Sequence, residues 1–259
     1  MQPPTQLAVQ LYTLREFTET PADIAKTLRR VKQLGYNAVQ CSALGPIEPQ
    51  ELKQILDDTG LICCATHVGL DRLREDPEAV IEEHKLWNCS YTAIGGFFPK
   101  VEDFNRNTWA RFIAEFNTIA ARFRGSGLSI GYHNHSHEFA RVGSAETTAW
   151  QMLMEGLSSD VWIELDTYWV QHGGGDPSFW IDRCAGKVPC LHLKDIGIKP
   201  DRSHYMMEVG QGNLNWPRIL ESARRAGVKW YIVEQDTCYR DPFDSLHTSL
   251  EFLHSMGLK

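Results

Sequence analysis

No Cys-x-x-Cys pair occurs in these 259 residues, and the seven cysteines, Cys41, Cys63, Cys64, Cys89, Cys184, Cys190 and Cys238, make an odd number. Most of them lie in apolar, strand-like segments, where a reduced cysteine packs as a small hydrophobe. Apolar runs fall well short of the roughly 18 residues that span a bilayer, and the N-terminus shows no charged-then-apolar signal pattern. A cytoplasmic protein without a membrane partner is the expectation. Basic excess is also missing: the net charge is −7, which argues against a general affinity for nucleic acid. The phosphate-binding glycine loop of a dinucleotide fold is absent. Gly210-Gln211-Gly212-Asn213 lacks the third glycine and follows a late strand, with Glu208 beside it. Linkers, low-complexity tracts and composition shifts are not found, so residues 1–259 are expected to form one domain.

What is present is an alternation. Apolar, β-rich runs recur near 6–10, 37–41, 61–66, 90–95, 128–133, 160–165, 188–193 and 230–234. Amphipathic stretches separate them at about 21–35, 47–59, 76–87, 103–124, 144–157, 177–186, 215–227 and 244–256. Pro21 and Asp23 open the first helix and Gly35 follows it; Gly60, Gly125, Gly127, Gly186 and Gly227 likewise stand between a helix and the next strand. Eight such cycles without a run of hairpins predict an α/β fold, a (β/α)8 TIM barrel, over a doubly wound open sheet. The length suits one such barrel.

Chemistry in such a barrel comes from the C-terminal ends of the strands. Polar residues gather there: Gln10 and Tyr12, Gln40, Thr66 and His67, His133 to Glu138, Asp166, His192 to Asp195, and Glu234 to Asp236. Three strand ends would bring Asp166, His192 and Glu234 to one mouth, a set suited to a divalent cation such as Mn, Zn or Co. Period-two alternation puts His133 and His135 on one face of the fifth strand, and His192 and Lys194 on one face of the seventh. Lys194 then reads as an electrophile or a clamp on a substrate oxygen, against a structural salt bridge. Asp195 falls on the opposite parity and is expected to cap or pair locally. Glu164 lies one layer below Asp166, as a buried partner. His67 is read as a substrate contact or a satisfied hydrogen-bonding group, and His137 as a bystander. Trp169, Phe97, Phe98 and Tyr12 follow strand ends and suit an apolar wall for a sugar ring.

The motifs Leu165-Asp166-Thr167, Leu191-His192-Leu193-Lys194-Asp195, Glu208-Val209-Gly210-Gln211-Gly212-Asn213 and Val233-Glu234-Gln235-Asp236 together resemble the xylose isomerase-like TIM barrels. That superfamily of sugar phosphate isomerases and epimerases also holds inosose dehydratases and endonuclease IV-type repair enzymes. The resemblance runs from Leu7 to the last helix. It implies a divalent metal held by a glutamate, an aspartate, a histidine and a glutamate from strands five to eight. Asp166, His192 and Glu234 match three of these. Where the family usually has Glu-Asn-His, this chain reads His133-Asn134-His135. Either His133 is the fourth ligand, or Glu138 curls back from the loop. Glu138 is the expectation carried forward, because it keeps three carboxylates and one imidazole around the cation.

The implied reaction is metal-assisted proton abstraction beside a carbonyl of a small sugar or keto-sugar, through an enediolate. Glu234, Glu138 or His133 would take the proton, and Lys194 or His67 would steady an oxygen. His67, His135, Tyr12 and Trp169 are the expected substrate contacts. Isomerisation or epimerisation is the first reading, and a keto-sugar or keto-inositol lyase the second. DNA repair and a non-catalytic sugar-binding barrel are weaker alternatives. A homodimer is a further expectation.

Overall fold

A computed structural model describes residues 6–143 and 147–259. Eight parallel strands close into a barrel: β1 (Gln6–Gln10), β2 (Ala38–Cys41), β3 (Ile62–His67), β4 (Tyr91–Ile94), β5 (Ser129–His133), β6 (Val161–Asp166), β7 (Cys190–Leu193) and β10 (Trp230–Val233). The ring closes where β1 pairs with β10, Leu7 beside Tyr231 and Val9 beside Val233. Each strand lies within one or two residues of its expected position, and the barrel class is as predicted.

Helices return the chain between strands: α1 (Pro21–Leu34), α2 (Pro49–Thr59), α3 (Leu70–Glu75), α4 (Pro77–Leu86), α5 (Arg106–Ala121), α6 (Ala149–Gly156), α7 (Thr167–His172), α8 (Pro177–Arg183), α9 (Trp216–Ala226) and α10 (Pro242–Ser255). Their ends follow local chemistry. Thr20 accepts from the amide of Asp23, Pro21 sits at the first turn, and Gly35 ends α1 at φ 111°. In α6, Thr148 and Gln151 form a reciprocal capping box. The helix expected from residue 144 therefore begins at Ala149, and residues 144–146 lie outside the described residues.

Three elements escaped the periodicity. Short helices α3 and α7 follow β3 and β6 directly, and an antiparallel hairpin, β8 (Asp195–Ile198) with β9 (His204–Met207), projects after β7.

Alternation along the strands divides the molecule into two cores. Leu7, Val9, Val39, Ile130, Ile163, Leu165, Leu191, Leu193 and Tyr231 face outward and pack with the helices in one large cluster. Ala8, Ala38, Cys64, Ala93, Trp162, Cys190 and Ile232 point inward and fill the lower lumen as a separate cluster. Small side chains there leave room for the single large ring of Trp162, whose Nε1 donates to the carbonyl of Ser129 at 3.0 Å. Gly131 is required opposite it, since a Cβ would stand 2.3 Å from the indole. One layer higher on the same inward parity the side chains turn polar: Gln10, Gln40, His133, Glu164, His192 and then Asp166, Lys194 and Glu234.

Candidate metal centre at the barrel mouth

His133 at the end of β5, Asp166 at the end of β6, His192 in β7 and Glu234 just past β10 are buried, and one ligand atom from each lies within 4.8 Å of all the others. Parallel pairing in register produces this: Asp166 stands beside His192 across β6 and β7. The backbone amide of Asp166 donates to Asn134 Oδ1 at 2.9 Å, and Asp166 Oδ1 accepts from the amide of Trp169, capping α7. One oxygen is thus fixed to the helix while Oδ2 faces the cluster.

Hydrogen bonds from below set the tautomer of His192. Gln40 Nε2 donates to Glu164 Oε1 at 2.8 Å, which turns Gln40 Oε1 toward His192 Nε2, 2.7 Å away. Facing two acceptors, Nε2 carries the proton and Nδ1 presents a lone pair. That Nδ1 lies 2.8 Å from Glu234 Oε2 and has no hydrogen-bond partner, and the buried His133 Nδ1 has none either; Glu234 Oε2 is met from above by the Lys194 ammonium at 2.9 Å. Two lone pairs so close require a positive charge between or beside them. Without an ion the imidazole itself supplies it: burial opposes protonation, but Glu164, Glu234 and Asp166 push His192 well above the usual range. Unpartnered buried nitrogens of two imidazoles, with the carboxylates of Asp166 and Glu234, fit a borderline divalent cation.

Lys194 crosses the top of this group. Its Nζ is 3.0 Å from Asp166 Oδ2, 2.9 Å from Glu234 Oε2 and 3.0 Å from Asp236 Oδ1. Burial disfavours the ammonium, and the three carboxylates more than restore it. The same contacts hold Glu234 well below the usual carboxylate range, against the opposing effect of burial. Asp236, partly open to the cavity, is pushed up to about 6 by burial, with Lys194 opposing and Glu234 adding to the rise. Sequence reasoning gave Asp236 no role of its own, although its place two residues after Glu234 was the available signal.

Glu164, fully buried, divides its oxygens. Oε1 takes the Gln40 amide, and Oε2 lies 2.5 Å from His67 Nε2. Burial would raise it, but His192 and His67 keep it ionised far below its ordinary value. This is the buried-partner position expected from its depth. His67, held through Nε2, lines the cavity with its other face.

Glu138 is a correction. Expected to reach the cation and to share the proton transfer, it stands apart from the ligand group. Its Oε1 accepts from the Tyr132 hydroxyl at 2.8 Å and its Oε2 from the amide of His135 at 2.9 Å. Tyr132 has the outward parity of β5 and draws the carboxylate behind the wall of the site. His133 occupies the place beside Asp166, at 3.4 Å. His137 is also tied into the wall, its Nε2 lying 2.8 Å from the carbonyl of Phe97.

Above the cluster opens a cavity of about 490 Å³, lined among others by Tyr12, His67, Phe98, His135, Trp169 and Asp236. Burial and the neighbouring His133 push His135 down to about 2, so it is a neutral imidazole, and its Nδ1 is unpartnered. Trp169 Nε1 is likewise buried without a partner. The four expected substrate contacts therefore share one chamber. Asp195 behaves as its parity implied: it accepts from the amides of Ile196, Gly210, Gly212 and Leu214 and from Trp216 Nε1, fastening the glycine loop to the base of the hairpin.

A closed βα barrel with imidazole and carboxylate groups converging at the strand exits defines the class: a TIM barrel with a candidate metal centre at its C-terminal mouth. Residues 28–256 match the family model described as xylose isomerase-like TIM barrel, and the chain belongs to that family. Among curated proteins it is similar to inosose dehydratases. That of Clostridium beijerinckii is 24% identical over 54% of this chain, and that of Serratia proteamaculans 21% over 81%. The matched region spans about half of the first relative's length (52%) and 82% of the second's. Among solved structures, a sugar phosphate isomerase/epimerase from Parabacteroides distasonis superimposes with TM-score 0.81 at 23% identity, covering 99% of this chain and 96% of the other. An L-ribulose 3-epimerase superimposes with TM-score 0.74 at 17% identity, covering 98% and 94%. Identities this low establish the fold alone. No helix among the described residues is long and apolar enough to cross a membrane.

Proposed function

We propose that this chain is a divalent-metal-dependent enzyme that removes a proton from the carbon beside the carbonyl of a small sugar or keto-sugar, as an isomerase or epimerase. The observation that carries the reading is the buried convergence of His133, Asp166, His192 and Glu234 with unpartnered donor atoms. Those four residues would hold Mn, Zn or Co. Such an ion, when bound, stabilises negative charge as it develops on a carbonyl oxygen.

The protein's own groups do the rest. Glu234, kept ionised by Lys194 and His192, lines the cavity and takes the proton. With its Nε2 proton committed to Glu164, His67 offers Nδ1 as an acceptor to a substrate hydroxyl. Trp169 Nε1 donates to another hydroxyl, and the aromatic faces of Tyr12, Phe98 and Trp169 exclude water around the ring. Lys194 balances charge between the two carboxylates as the proton moves. Return of the proton to the neighbouring carbon is isomerisation, and return to the opposite face is epimerisation.

Dehydration is the second reading. It is favoured by the similarity to inosose dehydratases and by His133 standing where a second carboxylate base is usual. Both reactions begin with the same proton. Seven free cysteines fit action in the cytoplasm.

Solvent-deuterium exchange at the substrate α-carbon, measured across a panel of ketoses and keto-inositols, tests the shared step. Mass analysis of the product separates isomers from loss of water. Equal exchange by chelator-treated protein overturns the metal reading, and an unimpaired Glu234→Gln variant overturns the assigned base.

A further inference from the structure

Barrels that take phosphorylated substrates grip the phosphoryl group with a few recurring devices: a free lysine or arginine, backbone amides of a glycine loop, and the N-terminus of a helix after strands seven and eight. Each of these is present here; carboxylates of the chain occupy the lysine, the glycine loop and the N-terminus of α10, and Asn215 caps α9.

Lys194 is the cation among the residues lining the cavity. An ammonium has three N–H donors. Lys194 Nζ donates to both oxygens of Asp236, at 3.0 and 3.1 Å, and lies in ion-pair contact with Asp166 Oδ2 at 3.0 Å and Glu234 Oε2 at 2.9 Å. The glycine loop after the hairpin offers the amides of Gly210 and Gly212, and both donate to Asp195 Oδ2, at 2.9 and 3.1 Å. At the start of α10 the amide of Phe243 donates to Asp241 Oδ1, and Asp244 adds negative charge to the first turn. Arg240, just before it, pairs through Nε with Glu208 Oε1 and through Nη2 with Thr248. Arg15 and Lys199 lie over the rings of Tyr12 and of Tyr205 and Tyr239, outside the cavity lining.

The charge balance points the same way. Asp166, Glu164, Glu234 and Asp236 outnumber the three positive charges that Lys194 and a divalent cation supply together. An anionic substrate would enter a chamber with no unclaimed charged donor and no excess of positive charge, where the neutral indole N–H of Trp169 is left for a hydroxyl.

We infer that the substrate handled at this mouth is an uncharged polyhydroxy ketone, carrying neither phosphate nor carboxylate, and that Asp236 is the specificity-determining residue that closes Lys194 to anions. The inference rests on the proposed proton-transfer reading for its choice of ketones. The exclusion of anions stands on the ion pairs of Lys194 and on the charge balance, independently of that reading.

Calorimetric titration of the Mn²⁺-supplemented protein compares D-fructose with D-fructose 6-phosphate and D-tagatose with its 6-phosphate. Inorganic phosphate serves as the bare anion, and deuterium exchange is followed on the same compounds. The expected result is neutral ketoses favoured by at least about ten-fold over their esters, and no saturable binding of inorganic phosphate. Asp236→Asn is expected to remove the negative charge that opposes an anion at Lys194 and narrow the ratio about ten-fold. Ser42→Lys, which adds an unpaired ammonium to the lining, is expected to do the same if the first variant does not fold.

An ester bound or exchanged as well as its neutral partner overturns the inference and leaves the proton-transfer reading intact. A folded Asp236→Asn protein with an unchanged ratio overturns the role of Asp236. Absence of exchange on every ketone, with phosphate still unbound, sinks the proton-transfer reading while anion exclusion holds.

Discussion

The lower and upper halves of the lumen are built from the same strands on the same parity, and they obey opposite rules. Below, Ala8, Ala38, Ala93, Cys190 and Ile232 pack around Trp162, and the indole N–H has its carbonyl. Above, on the next inward positions, His192, Asp166, Glu234 and Lys194 are about as deeply buried, but His192 Nδ1 lacks a hydrogen-bond partner. One end uses burial to lower the free energy of the fold. The other holds charged groups at a cost in stability, in an arrangement that a divalent cation would complete. Substitutions below should therefore change stability and leave chemistry to follow. Substitutions above should change chemistry first.

The largest effect sharpens this contrast. Glu234→Gln is expected to lower α-carbon exchange by about 10²-fold or more while the unfolding midpoint moves little; exchange rate and urea denaturation on one sample measure both. Trp162→Ala is the converse. It empties the lower lumen and is expected to cost about 3–5 kcal/mol of stability by chemical denaturation. A Trp162→Ala protein of unchanged stability would erase the distinction.

Next in size is a pH dependence arising outside the lumen. His84 of α4 is buried, with Nδ1 2.7 Å from the carbonyl of Val80 and Nε2 2.7 Å from the Thr66 hydroxyl. A carbonyl only accepts, so Nδ1 carries the proton and the ring is neutral. Burial pushes its pKa down to about 4, with Arg72 adding to the fall. Above about pH 6.5 both folded and unfolded chains hold it neutral, and its contribution is fully present. As pH falls, the unfolded chain takes a proton first, and stability is lost at about 1.4 kcal/mol per unit, about 3 kcal/mol by pH 4. The difference in urea midpoint between wild type and His84→Gln, followed across that range in chelator, isolates the effect. A constant difference would contradict it.

The smallest expected effect separates ligand from wall. Glu138→Gln should leave bound metal near the wild-type content, whereas His133→Ala should lower it, as measured by elemental analysis after dialysis. The reverse pattern would restore Glu138 to the cation.

Parity made much of this legible. Once β6, β7 and the final barrel strand are read as inward on alternate residues, Asp166, His192, Lys194 and Glu234 follow, and so do the depth of Glu164 and the outward turn of Asp195. Glu138 was misplaced for a reason that parity does not carry: it lies in a loop, and the Tyr132 hydroxyl and the His135 amide claim it through space. Gln40 shows the same limit. Its amide bridges Glu164 and His192 from the opposite side of the barrel, 124 and 152 residues away in the chain. The hairpin of β8 and β9 was missed because four-residue strands pairing only with each other leave too short a pattern.

The indole plug has a consequence for traffic. With Trp162 and Ile232 filling the tube from beneath, the chamber above is closed at its base. Under the proposed reading, product leaves past Tyr12 and Trp169 before a fresh molecule comes in, so arrivals and departures take turns at a shared threshold.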